Sequence, residues 1–224
     1  SQGAHTHMTD DLLWLVFITM NYIDETGDVD ILNEEIPFVN TNHGEGGEIG
    51  TLYDHCVRAI EKVFSRWSER GLPLIGEGDW NDGMSHVGIG WKGESVWLGH
   101  FFYGVLKRFL FICETRGDVM RKEEYDRRAE HLKEAINKHG WDGSWYMRAT
   151  RDDGRPLGSK SQKEGKIFLN AQTWAVICET ADKERARKSM RSAEKYLFRE
   201  YGPLLFTPAY HKTDPTIGYL SRYA

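Results

Sequence analysis

Apolar residues recur along this chain at helical spacing, and alternation of the kind that marks strands is scarce. A first run, Leu12, Leu13, Trp14, Leu15, Val16, Phe17, Ile18 and on to Ile23, follows Thr9, Asp10 and Asp11 and stops before Gly27. Thr9 is placed to cap this helix, and the two aspartates suit the positive end of its dipole. Because the run is apolar on nearly every side, the helix is expected to be buried all round. After a glycine-rich stretch at residues 43–50, Leu52, Cys56, Ala59, Ile60, Val63, Phe64 and Trp67 form one apolar stripe with charge opposite, which reads as an outer helix.

The alternation repeats. Residues 94–116 are broadly apolar, whereas residues 122–139 carry a thinner stripe of Tyr125, Ala129, Leu132 and Ile136. Residues 170–180 are mostly apolar, and residues 183–199 are highly charged with Met190, Ala193 and Leu197 facing inward. Three hairpins of a buried helix followed by a half-exposed one are what half of an all-α, six-hairpin (α/α)6 toroid would supply. A full toroid needs roughly twice this length at ordinary helix and loop spans. Two connections, residues 71–93 and 149–169, are too long to be mere links, and long ordered loops usually carry function. The first is rich in glycine and aromatics.

Composition narrows the class. The chain has 224 residues with a formal charge of -5, from 29 basic and 34 acidic side chains, so no basic excess is available to neutralise a nucleic-acid backbone. Three cysteines, Cys56, Cys113 and Cys178, lie far apart in helical segments and leave one over in any pairing, which fits a reducing cytoplasm. The stretch from Leu12 to Ile18 is too short to span a bilayer, and no leader pattern precedes it. Aromatic residues make up 12% of the chain, several of them in glycine-rich stretches, a placement that suits a carbohydrate cleft.

Candidate chemistry gathers where Glu77, Asp79 and Asp82 are interleaved with Gly76, Gly78, Gly83 and Trp80. Glycines hold such a loop tight against a ligand, and a carboxyl crowded by other carboxylates and an indole tends toward the protonated form a general acid needs. A Ca²⁺ loop is the competing reading. Gly83 stands where a third oxygen ligand should be, and no Glu occupies the twelfth position. His5, His7, Asp10 and Asp11 could be taken for metal ligands, but they lack any spacing known for zinc, and no metal is expected. No Gly-x-Ser-x-Gly elbow is present to mark a serine nucleophile.

Five ordered segments extend this picture: His5-Thr6-His7-Met8-Thr9-Asp10-Asp11-Leu12-Leu13-Trp14-Leu15, Gly76-Glu77-Gly78-Asp79-Trp80-Asn81-Asp82-Gly83-Met84, Gly93-Glu94-Ser95-Val96-Trp97-Leu98, Leu169-Asn170-Ala171-Gln172-Thr173-Trp174-Ala175, and Asp214-Pro215-Thr216-Ile217-Gly218-Tyr219-Leu220-Ser221-Arg222-Tyr223. Together they resemble glycoside hydrolase family 94, which contains cellobiose, cellodextrin, laminaribiose and chitobiose phosphorylases and a domain of cyclic β-1,2-glucan synthases. The resemblance implies an (α/α)6 catalytic domain, partial across residues 1–224, with an N-terminal β-sandwich and the rest of the barrel outside it. It also implies that Asp82 is the catalytic acid and that Trp80 and Asp11 hold the sugar before the cleaved bond. Asp79, Asp10 and Gln172, in the same blocks, are further expected substrate-binding residues. The family places an Arg just before the Asp-Asp pair, where this chain has His5 and His7.

The implied reaction is inverting phosphorolysis of a β-linked gluco-oligosaccharide. Phosphate is the co-substrate and nucleophile, and no cofactor is needed. An inverting hydrolase would instead need a second carboxylate about 6.5–9.5 Å from the acid to activate water, with Glu77, Asp152 and Asp153 as candidates. A third expectation is a non-catalytic sugar-binding half-domain that pairs with a second copy or a complementary half-barrel to cover its inner helices.

Overall fold

The computed structural model describes residues 7–38 and 47–221. His5-Thr6 and Arg222-Tyr223, which belong to the segments above, lie outside that range. The chain divides into two compact units, Leu12–Ser65 and Ser1–Asp11 together with Arg66–Ala224.

In the smaller unit, helix α1 (Asp11–Thr26, its first residue belonging to the larger unit) leads through a short 3₁₀ turn at Asp30–Asn33 to an antiparallel pair, β1 (Glu35–Pro37) and β2 (Ile49–Thr51). Helix α2 (Leu52–Phe64) follows, and Thr51 starts it with a reciprocal cap. Its hydroxyl accepts the Asp54 N–H at 3.2 Å while the Asp54 carboxylate accepts the Thr51 N–H at 2.9 Å. The expected stripe is buried at Leu52, Cys56, Ala59, Ile60 and Val63. Burial pushes the Cys56 thiol up to about 11.

Helix α1 departs from expectation. Leu13, Val16, Met20 and Ile23 are buried on one face, but Leu15, Ile18 and Tyr22 on the other are 40%, 62% and 42% exposed. The run is apolar all round, yet nothing among the described residues covers that second face.

The larger unit is organised around α3 (Val96–Thr115), which has 13 buried residues and packs against α4 (Val119–Ala135) and α5 (Leu169–Ile177). Helix α6 (Lys183–Leu197) packs on α5. Side-chain oxygens of Ser95, Asp118 and Asp182 accept N–H groups in the first turns of α3, α4 and α6, so these starts are written locally in the sequence. The stripe of Tyr125, Ala129, Leu132 and Ile136 is buried as its spacing requires. In α6, Ala193 and Leu197 are buried and Met190 is half-buried. By length and composition α3 alone among the described helices could cross a membrane, and 72% of its apolar window is buried inside the protein.

Short strands accompany the helical frame, which the pattern of apolar residues did not announce. β3 (Glu94–Ser95), β4 (Ala149–Thr150) and β5 (Pro156–Leu157) form one antiparallel sheet, with Glu94 opposite Thr150 and Ser95 opposite Ala149. β6 (Ile167–Phe168) pairs with β9 (Phe206–Thr207), and β7 (Phe198–Arg199) with β8 (Gly202–Pro203). Strands of two or three residues carry no readable alternation. They matter because they tie both long loops to the starts of α3 and α5.

His100, on the buried side of α3, contacts Thr180 Oγ1 through Nδ1 at 2.5 Å and meets the Tyr146 ring edge-on at 4.8 Å. Its Nε2 has no partner among the described residues. Burial lowers its pKa from 6.5 to about 3, so the ring is neutral when folded. Between those values the unfolded chain binds the proton and the folded one does not. The protein should therefore lose stability as pH falls from about 6.5, by up to about 1.4 kcal/mol per pH unit from this group. Urea denaturation across that range should show a slope that His100→Gln flattens; an unchanged slope would count against the assignment.

Candidate active site

The glycine-rich loop following β-bridge residue Leu74 is built from short side-chain-to-backbone bonds. Asp79 Oδ1 accepts the Asn81 N–H at 3.2 Å, and Asn81 Oδ1 accepts the Gly83 N–H at 3.0 Å. Two such turns in tandem carry the chain directly into the single 3₁₀ turn Asp82–Met84. Thr9, expected to cap α1, instead donates both its hydroxyl (3.1 Å) and its N–H (3.0 Å) to the carbonyl of Gly78. Beneath the loop, Ile75, Met84 and Val87 are buried with Ala149, Leu157, Phe168, Tyr210 and Ile217 in one apolar cluster.

The carboxylate of Asp79 is fully buried and ion-paired with Arg148, which is also fully buried. Arg148 Nη1 donates to Asp79 Oδ2 at 2.8 Å, Nη2 donates to Oδ1, and the Ser95 hydroxyl donates to Oδ2 at 2.6 Å. Ser95 also accepts the Leu98 N–H that starts α3, and Arg148 lies 5.5 Å from the Trp97 ring. One pair thus joins the loop, the sheet and the first turn of α3.

Asp82, three residues later, is the opposite case. It is exposed and makes neither hydrogen bond nor ion pair among the described residues. Trp80 beside it is 47% exposed, its ring 6.2 Å from buried Trp97 and tilted 44°. Trp97 is itself braced by Phe101 at 5.6 Å and Trp174 at 5.9 Å. Such a backed, open indole is a platform for the apolar face of a ring. Asp11 is also exposed; its pKa is raised by partial burial and then by the charge of Asp82, which places the two carboxyls within each other's field.

The segment at residues 214–221 props this turn from the side. His86 donates its N–H to Ile217 O at 3.2 Å, and its Nδ1 lies 2.9 Å from Pro215 O. Gly218, at φ +101°, lies so close that a Cβ would collide with Ser85 Oγ, so the glycine of this block is a packing requirement. Arg151 Nη1 donates to Asp214 at 2.8 Å and to Thr216 Oγ1 at 2.6 Å. Burial works to raise the Asp214 pKa, but the hydrogen bonds from Thr216 and Arg151 outweigh it and hold the group low.

Of the six residues singled out from sequence, Asp82, Trp80 and Asp11 are exposed, and Asp11 lies within the field of Asp82. The other three do not fit substrate contact. Asp79 is sealed in its ion pair. Gln172 is fully buried, receiving the Tyr146 N–H at 2.8 Å and donating to the carbonyls of Tyr146 and Phe168 at 2.8 and 3.0 Å, so it ties α5 to the strand region. Asp10 is 3% exposed. Two of the three candidates for a second catalytic carboxylate are engaged elsewhere. Asp152 accepts the N–H groups of Gly90, Lys92 and Gly93 at 2.7–2.9 Å, and Asp153 accepts from Arg155 at 2.7 Å. Glu77 lies 4.0 Å from His7. Among the described residues no group of three His, Cys, Asp or Glu is arranged to hold a metal. Sequence reasoning passed over Arg148 and Arg151, two arginines 0% and 6% exposed; a buried Arg has no periodic signature, and only the demand of Asp79 for a partner could have pointed to one.

Comparison with known proteins identifies the family of the chain. The profile of the Glycosyl hydrolase 94 superfamily, catalytic domain, matches residues 1–224. The chain is 38% identical over 99% of its length to the cyclic beta-(1,2)-glucan synthase NdvB of Rhizobium meliloti, covering 8% of that protein. It is 36% identical over 96% of its length to the solabiose phosphorylase of Paenibacillus borealis, and 32% over 98% to the N,N'-diacetylchitobiose phosphorylase of Vibrio furnissii, covering 27% and 26% of them. Among solved structures, the GH78 family rhamnosidase of Bacillus sp. GL1 superposes with a TM-score of 0.61 at 15% identity, over 80% of this chain and 16% of that one, a likeness of fold alone. The chain therefore spans about a quarter or less of the relatives it matches, and it belongs to the glycosyl hydrolase 94 superfamily as part of its catalytic domain.

Proposed function

We propose that this protein carries out reversible, inverting phosphorolysis of a β-linked gluco-oligosaccharide, with Asp82 as the general acid. The observation that carries the reading is the contrast within one loop: Asp79 is buried and paired, whereas Asp82 is exposed and without a partner among the described residues. In the reaction the Asp82 carboxyl gives its proton to the glycosidic oxygen as the C1–O bond breaks. Inorganic phosphate bonds to C1 from the opposite face, releasing a sugar 1-phosphate and the shortened acceptor. Trp80 serves as the sugar platform, and Asp11 as an acceptor for its hydroxyls. Phosphate brings its own negative charge, so no second carboxylate is required. Engagement of Asp152 and Asp153 with other partners supports phosphorolysis over hydrolysis. The names of the relatives support a glycoside substrate, and the helical hairpins support an (α/α)6 toroid of which these residues form about half. Three free thiols fit a cytoplasmic setting.

Asp82→Asn should reduce sugar 1-phosphate release from cellobiose, laminaribiose or sophorose about 10²–10⁴-fold. Full activity in that variant, or turnover in phosphate-free buffer by the parent, would sink the reading.

The Arg148–Asp79 pair should position this acid. Arg148→Met strands a buried carboxylate and is expected to cost about 3–5 kcal/mol in urea denaturation, part of which Asp79→Asn in the same chain restores. A cost below about 1 kcal/mol would mean the pair does not hold the loop.

A second reading is that of a binding half-domain requiring a partner. It is favoured by the exposed strip of Leu15, Ile18 and Tyr22 on α1 and by Ile177, 66% exposed at the end of α5. Light scattering should then find the chain associated; a stable monomer would dismiss it.

A further inference from the structure

Behind the catalytic loop lies a cavity of about 520 Å³ whose walls include Trp67, Trp91, Arg70, Glu94, Arg151 and Asp152, and to which Asp82, Trp80 and Asp11 contribute nothing. Trp91 has a left-handed backbone at φ 55°, a conformation that is strained for a bulky residue. Surrounding bonds enforce it. The Trp91 N–H donates to Gly88 O at 2.8 Å, and the N–H groups of Gly90, Lys92 and Gly93 converge on the Asp152 carboxylate. The effect is to hold an indole, 38% exposed, at the cavity wall, with the Arg66 guanidinium 5.1 Å from its ring. Strain retained by so many bonds argues for use.

The polar groups of the cavity are arranged but nearly charge-neutral. Glu94 is 2% exposed, and its carboxylate is taken by Arg70 and by the Thr150 hydroxyl at 3.0 Å. Asp152 is saturated by backbone donors. Arg151, 6% exposed, spends Nη1 on Asp214 and Thr216, and its Nε has no partner among the described residues. Two indoles in walls of little net charge match a pyranose, whose apolar C–H faces suit the rings and whose hydroxyls suit a donor such as the Arg151 Nε–H. An anion would find Glu94 and Asp152 in its way.

We propose that this cavity is a second saccharide site, which takes a segment of a neutral glycan chain independently of Asp82. It would anchor a long substrate or product while the open face handles one bond.

The test uses a protein in which Asp82→Asn and Trp80→Ala disable the catalytic face, titrated calorimetrically with cellotetraose, laminaritetraose and sophorotetraose. At least one should still bind. Adding Glu69→Trp, which crowds the cavity from an exposed position whose side chain makes no bond among the described residues, should weaken that binding about tenfold or more, as should Trp91→Gly, which removes the ring and the strain together. Glu69→Trp in the otherwise unmodified protein should leave cleavage of disaccharides unchanged. Loss of all binding in the disabled background, or indifference of the remaining binding to both cavity variants, would overturn the proposal. If the protein proves inactive with phosphate while cavity-sensitive binding persists, the site stands and only the reaction assigned above falls.

Discussion

The arrangement depends on one buried ion pair. Arg148 and Asp79 are both removed from water, a transfer that costs several kcal/mol per ion unless geometry and further hydrogen bonds offset it. Here both carboxylate oxygens are used, Ser95 adds a donor, and the Asn81 N–H adds another. An apolar pair of the same volume could hold the loop at least as firmly, but it would not fix direction. The fork of the guanidinium aligns Asp79, and through two Asx turns Asp79 aligns everything to Asp82. The same Ser95 hydroxyl that reads Asp79 also starts α3, so the loop and the principal helix of the unit share one atom as a reference point.

This explains how two aspartates three residues apart behave differently. Crowding of carboxyls in the sequence invites the reading that all of them line a site. Folding sorts them by access to hydrogen-bond donors: Asp79 meets Arg148, Asp152 meets three backbone N–H groups, Asp214 meets Arg151, and Asp82 meets none of these. A general acid must be able to take up and release a proton during turnover, which a tightly paired carboxylate resists. Pairing its neighbours while leaving Asp82 open separates the held carboxylates from the accessible one inside a few residues.

Much of the frame was legible beforehand because helices advertise themselves over many residues. The stripes of α2, α4 and α6 are buried where their spacing puts them, whereas the caps Ser95, Asp118 and Asp182 emerged only with the structure. For α1 the pattern showed what ought to be covered, not what covers it, and one face stays open among the described residues. Thr9 looked like a cap because only its sequence neighbours were visible; its real partner, Gly78, is 69 residues away. The same limit hid Arg148 and turned Gln172 into a supposed sugar ligand. A buried polar side chain carries its meaning in a distant partner, and position along the chain says little about which one.

The glycines of the site make the corresponding point about backbone. Gly218 belongs to a block far from Asp82 in sequence, yet it is glycine because the chain there must pass against Ser85 and His86, at the far end of the turn that Asp82 begins. A methyl group at that position would push on the turn from outside while the ion pair holds it from within. The turn is therefore clamped between two surfaces, one electrostatic and one steric, and neither one bonds to the Asp82 carboxyl among the described residues.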